Sequence, residues 1–135
     1  MELQLKIIGV LLIALAVLHA LFPKYFEWKK ELSGLSLINR QMMYVHTFFI
    51  AFAVFLMGVL CLTSSAEITG TPFGGRIALG FAVFWTARLF IQFFGYSSKL
   101  WRGKPFETTV HIAFAILWTY LSAVFIAISW TSWRR

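Results

Sequence analysis

The chain has 135 residues, of which 60% are hydrophobic and only 13% are charged. Soluble domains average roughly 25% charged residues, so this composition excludes an ordinary soluble domain and indicates a membrane protein. The formal net charge is +7. However, the basic residues stand in short connections beside apolar runs, which is typical of membrane topology signals, and we expect no nucleic-acid partner. The single cysteine, Cys61, leaves no intrachain disulfide to form.

Four apolar segments are long enough to cross a bilayer core of about 30 Å. They cover about residues 3–22, 40–62, 76–94 and 108–130. The first segment leads into Pro23 without a small-residue cleavage site, which favours a retained helix over a signal peptide. The sequence therefore predicts an all-α fold, namely an integral membrane protein with a four-transmembrane-helix bundle that forms a single domain over residues 1–135.

The polar connections indicate how these segments are oriented. Residues 22–41 interleave aromatic rings with lysines, as an interfacial segment requires, and residues 95–104 return on the same side, here called the loop side. Seven basic residues stand on the loop side and four on the side of the termini: Lys24, Lys29, Lys30, Arg40, Lys99, Arg102 and Lys104 against Lys6, Arg76, Arg134 and Arg135. The positive-inside rule then places the loop side in the cytoplasm and both termini outside it, in a plasma or inner membrane.

Helix contacts are predicted where small residues recur one turn apart, because such rows let helices approach closely in lipid. The rows are Ala16 with Ala20, Ala78 with Ala82, and Thr119 with Ala123 and Ala127. They predict a helix bundle and say nothing about chemistry.

All three histidines are predicted to lie in one layer on the loop side. His19 lies near the end of the first span, His46 one to two turns inside the second, and His111 near the start of the fourth. Imidazoles from three helices can ligate a transition metal, and two opposed imidazoles can ligate a haem. A histidine at a membrane interface more often only forms hydrogen bonds. We therefore keep two interpretations of this layer, a metal or haem site and a packing role.

Two acidic residues are expected to support the histidine layer. Glu107 lies four residues before His111 on the same helix face, where it would orient the imidazole. Glu31, in the adjacent connection, would fold over the layer. The sequence has no H-E-x-x-H motif, no C-x-x-C motif and no aspartate, so it names no catalytic residue and disfavours a hydrolase.

An arginine, Arg88, stands inside the third span. A central arginine costs about 2.5–3.5 kcal/mol on insertion scales, so it usually faces the bundle interior and has a partner. Gln92 and Trp85 share its helix face, and Tyr44 of the second span is assigned to the same site. These side chains suit an anionic or carbonyl-bearing ligand. The alternative is an internal ion pair with one of the three nearby acids, Glu27, Glu31 or Glu107.

Two function hypotheses follow from this layer. In the first, the layer binds a metal or haem and acts in redox chemistry, while Arg88 and Gln92 hold a substrate or a propionate. In the second, the protein is a non-enzymatic accessory subunit, or a binder of a small anionic or lipophilic molecule, whose polar layer packs the bundle. Both hypotheses allow a membrane-protein partner or a second copy of the chain.

Overall fold

The computed structural model describes residues 1–135 and is helical throughout, with 86% of the residues in helices and no strands, so the predicted all-α class is confirmed. Short 3-10 turns at His19–Leu21 and Ser98–Leu100 accompany seven α-helices: α1 (Glu2–Leu18), α2 (Phe22–Tyr25), α3 (Trp28–Glu31), α4 (Leu37–Thr63), α5 (Ser65–Gly70), α6 (Pro72–Phe94) and α7 (Pro105–Trp133).

Four helical stretches are long and apolar enough to cross a membrane, namely Glu2–Tyr25, Leu37–Thr63, Pro72–Phe94 and Pro105–Trp133. Each of them encloses one of the four predicted segments. The helices form two compact units, each built on one pair of long helices. The N-terminal unit, residues 2–65, packs α1 against α4, and the C-terminal unit, residues 66–135, packs α6 against α7. A single domain over residues 1–135 stays a prediction.

Two glycines let the helices of the N-terminal unit touch. A Cβ added at Gly9 would lie 2.8 Å from the carbonyl oxygen of Gly58, and a Cβ added at Gly58 would lie 2.8 Å from the carbonyl oxygen of Gly9. Neither contact is sterically possible, so α1 and α4 meet backbone to backbone at this point. Leu5, Ile8 and Leu12 share the face of Gly9 and are fully buried.

The C-terminal unit begins with a capped helix. The Thr71 hydroxyl accepts a 2.9 Å hydrogen bond from the Gly74 N–H, and Pro72 follows as the first residue of α6. Further along α6, Ala78 and Ala82 are buried as their spacing predicts. By contrast, Ala123 in the row predicted on α7 is exposed.

The long helices leave many of their apolar side chains exposed. In an apolar 18-residue window of each candidate span, only 17–33% of the residues are buried. Large side chains such as Val17, Phe48, Phe94 and Ile116 are more than half exposed. Soluble monomers rarely present contiguous apolar patches above a few hundred Å². Such a surface is typical of helices that lie in an apolar environment.

Candidate functional site

The centre of the candidate site is Gln92 on α6, which is only 6% exposed. Its Oε1 accepts two hydrogen bonds, one of 3.2 Å from Arg88 Nη1 one turn earlier and one of 3.1 Å from Trp118 Nε1 on α7. Both donors lack an acceptor function, so the amide oxygen must face them. The orientation of the Gln92 amide is thereby fixed.

The Gln92 amide nitrogen points to the third partner, His111. Gln92 Nε2 donates a 2.8 Å hydrogen bond to His111 Nδ1 on α7. Because Nδ1 accepts, the proton of the neutral imidazole sits on Nε2. His111 Nε2 has no partner in the chain and is not enclosed, so it presents an N–H donor to a molecule beside it.

Aromatic rings surround this polar chain. The Trp118 ring stacks on Trp85, with centroids 5.2 Å apart and an interplanar angle of 10°. The His111 ring stacks on Trp101 at 3.9 Å and 9°. The guanidinium carbon of Arg88 lies 4.9 Å from the centre of the Trp118 ring and 5.6 Å from that of Tyr96. Cation–π contacts of this kind stabilise a desolvated arginine but leave its charge in place.

No carboxylate of the C-terminal unit neutralises Arg88, and an ion pair with Glu27 or Glu31 of the N-terminal unit stays a prediction. Within the C-terminal unit the partners of Arg88 are the Gln92 oxygen and the two aromatic faces. Glu107 was expected to orient His111, but its side chain is exposed and forms no hydrogen bond or ion pair. Gln92, not Glu107, forms the hydrogen bond to His111 Nδ1. The remaining N–H groups of Arg88 are not enclosed. Within the C-terminal unit the site is therefore rich in donors and carries a positive charge that no acidic residue of this unit compensates.

A buried indole adds another donor to the same unit. Trp85 is 2% exposed, and its Nε1 has no hydrogen-bond partner. Trp85 lies three residues before Arg88, on the same face of α6. A buried donor without an acceptor is costly, so this N–H is an unsatisfied hydrogen-bonding group inside the unit.

A pocket of about 460 Å³ lies beside His111 on α7. Apolar residues form most of its lining, and Thr119 and Tyr120 add polar groups: Phe93, Ile112, Ala115, Ile116, Thr119, Tyr120 and Ala123 line it together with His111. This volume falls in the range of small-molecule sites.

In the N-terminal unit, His19 has the opposite hydrogen-bonding polarity. Its Nδ1 lies 2.8 Å from the Leu15 carbonyl oxygen. A carbonyl only accepts, so Nδ1 carries the proton and Nε2 keeps a lone pair. Nε2 has no partner and is not enclosed. Its ring lies against Phe22, with centroids 4.7 Å apart.

The other predicted site residues of the N-terminal unit lie apart from any hydrogen-bonded network. His46 is exposed on α4, and Glu31 is exposed at the end of α3. The Tyr44 ring stands edge-on to Trp28 at 5.3 Å. Neither unit assembles three or more His, Cys, Asp or Glu side chains that could hold a metal ion. A joint site of His19, His46 and His111 stays a prediction.

Sequence reasoning joined Arg88, Gln92 and Trp85 correctly on one helix face but missed Trp101 and Trp118. Trp118 follows His111 by seven residues, two turns along α7, and this spacing could have pointed to it. Trp101 stands in an irregular connection, where no periodicity predicts its position. Comparisons with family models, with curated proteins and with solved structures found no match.

Proposed function

We propose that the chain is an integral membrane protein whose four long helices span a bilayer. Two features support the proposal: the spans are 23–29 residues long, and only a minority of their residues are buried. At 1.5 Å per residue even the shortest span covers about 34 Å, which exceeds the hydrocarbon core. The basic loop side then faces the cytoplasm and both termini lie outside it.

Within this membrane protein the C-terminal unit binds a lipophilic molecule with an anionic head group, a carboxylate or a phosphate. The observation that carries this proposal is that no carboxylate of the C-terminal unit pairs with Arg88. Arg88 lies six residues before the end of α6, about 9 Å inside the helix, where an uncompensated charge is costly. An anion from outside the chain supplies the missing counter-charge.

The other donors fit the same ligand. The open N–H groups of Arg88 and the Nε2–H of His111 are both held in place through Gln92. A guanidinium binds carboxylate and phosphate oxygens through paired N–H groups. The apolar pocket of about 460 Å³ beside His111 accommodates part of the ligand's hydrocarbon body. Binding of this kind requires no catalytic step.

Three ligands with the same hydrocarbon chain test the head group. Palmitate, hexadecyl phosphate and the uncharged hexadecanol are titrated into purified protein in nanodiscs of zwitterionic lipid. We expect one or both anions to bind at least about tenfold more tightly than the alcohol, because a charge-assisted hydrogen bond is worth about 1.5–3 kcal/mol. The preferred anion distinguishes a free carboxylate from a phosphate head group. Equal binding of all three would contradict the proposal.

A metal or haem centre with redox chemistry is the second candidate function. The observation that favours it is the lone pair on His19 Nε2, which is the form in which imidazole ligates a metal. His111 would need its Gln92 contact broken, because ligation through Nε2 moves the proton to Nδ1, where Gln92 offers a donor. A Soret band in the purified protein would support a haem, and elemental analysis would detect a metal.

A further inference from the structure

A second pocket, of about 360 Å³, lies in the N-terminal unit beside His19. Three alanines keep this pocket open, because their side chains end at Cβ. They are Ala16 on α1, Ala20 in the 3-10 turn that follows α1, and Ala51 on α4. Its walls are largely aromatic, with rings from Trp28, Tyr44, Phe48, Phe52 and Phe55. A cavity of roughly 150 Å³ accommodates benzene, so this one takes a ring with a substituent.

The lining of this pocket is almost wholly apolar, so a single polar atom, His19 Nε2, selects the head group. His19 Nε2 is an acceptor, because Nδ1 donates to the Leu15 carbonyl oxygen. The Thr47 hydroxyl donates to the Met43 carbonyl oxygen of its own helix at 2.8 Å. An acceptor in an otherwise apolar pocket requires a ligand that donates.

The donor that His19 requires narrows the ligand class. A hydroxyl group donates, whereas a carbonyl or an ether oxygen only accepts.

We propose that the pocket beside His19 binds a lipophilic phenol, whose hydroxyl donates to His19 Nε2 and whose ring packs among the aromatic side chains. Three observations indicate a phenol. The hydrogen bond to the Leu15 carbonyl oxygen leaves His19 Nε2 as an acceptor, aromatic rings form much of the walls, and the pocket volume suits a substituted ring. This site lies in the N-terminal unit and uses none of the residues around Arg88. The proposal for this pocket is therefore tested independently of the proposal for the anion site.

The test uses para-hexylphenol and its methyl ether, which has the same ring and chain but no O–H donor. Both are titrated calorimetrically into the purified protein in nanodiscs, with a metal chelator present so that no metal occupies His19. We expect the phenol to bind at least about tenfold more tightly than the ether, because the ether has no O–H and leaves His19 Nε2 without a hydrogen bond. Equal affinities, or no saturable binding of the phenol, would overturn the proposal.

A matched pair of variants locates the binding. His19→Leu removes the acceptor, whereas His46→Leu makes the same substitution at an exposed histidine outside the pocket. We expect the preference for the phenol to disappear in His19→Leu and to persist in His46→Leu. Nitrogen NMR of the wild-type protein with labelled histidine needs no substitution: the phenol should shift the Nε2 resonance of one histidine. A preference that survives in His19→Leu, or unshifted histidine resonances, would contradict the assignment.

Discussion

The amide nitrogen of Gln92 donates a 2.8 Å hydrogen bond to Nδ1 of His111, and this contact decides which imidazole nitrogen carries the proton. His111 consequently offers an N–H donor at Nε2. The Leu15 carbonyl has the opposite effect at His19, where Nδ1 donates and Nε2 is left as an acceptor. Two histidines of the same chain therefore suit ligands of opposite hydrogen-bonding character.

Removing the Gln92 amide should destabilise the C-terminal unit. In Gln92→Leu the buried Trp118 N–H loses its acceptor and His111 Nδ1 loses its donor, so we expect a loss of about 2–4 kcal/mol in the free energy of unfolding. Denaturant unfolding in detergent measures it. The control is Gln41→Leu, the same change at an exposed position, which should alter stability by less than about 0.5 kcal/mol. Equal stability of the two variants would show that the network contributes nothing.

Three alanine variants separate a ligand-binding role of the polar groups from a purely structural one. Arg88→Ala strands no acidic residue of the C-terminal unit, so we expect the stability of this variant to stay within about 1 kcal/mol of the wild type. His111→Ala should cost more, about 1–3 kcal/mol, because Gln92 Nε2 loses its acceptor and Trp101 its stacking partner. His46→Ala, at an exposed position, should be nearly silent. If Arg88→Ala proved the most destabilising of the three, the arginine would be a structural element of the unit.

Alanine substitutions at two glycines, Gly58 in the backbone contact and Gly80 in open space, should change the free energy of unfolding in opposite directions. Gly58→Ala places a Cβ 2.8 Å from the Gly9 oxygen and should destabilise by about 1–3 kcal/mol. Gly80→Ala introduces the same methyl on α6 where no atom lies within 4 Å, and should stabilise by about 0.5–1 kcal/mol through helix propensity. Thermal unfolding of both variants gives the comparison. Stabilisation by Gly58→Ala would refute the backbone contact between α1 and α4.

The membrane orientation is testable by cysteine labelling. Cys61→Ala provides a background without thiols, into which Ser33→Cys and Thr131→Cys are introduced separately at exposed positions. With the loop side in the cytoplasm, an impermeant thiol reagent added to intact cells should label position 131 and leave position 33 unlabelled. The reverse labelling would overturn the orientation. Permeabilised cells control for the reactivity of both thiols.

The sequence predicted the four long helices well because apolar length is a property of each segment by itself. It predicted contacts between helices less well. Ala78 and Ala82, one of the predicted rows, are both buried, but Gly9 and Gly58, which form the backbone contact, stand alone in their helices and show no row. Which residues of two helices face one another depends on their rotation and relative height, which periodicity does not determine.

The partner of His111 illustrates the same difficulty. Glu107 shares a helix face with His111 and carries a charge, so local spacing favoured it. Gln92 is nineteen positions away in the chain and belongs to another helix, yet α6 and α7 bring its amide to Nδ1. The residues of the arginine cluster could be named from their unusual chemistry in an apolar span, whereas their partners required the packing of the two helices.

The most direct test of the central proposal is the palmitate or hexadecyl phosphate affinity of three proteins in nanodiscs: the wild type, Arg88→Gln and Arg76→Gln. Arg76 is exposed near the other end of α6, so its substitution removes the same charge without touching the site. If Arg88 binds the anionic head group, Arg88→Gln should raise the dissociation constant at least about tenfold, while Arg76→Gln should leave it unchanged. The same affinity in all three proteins would contradict the account.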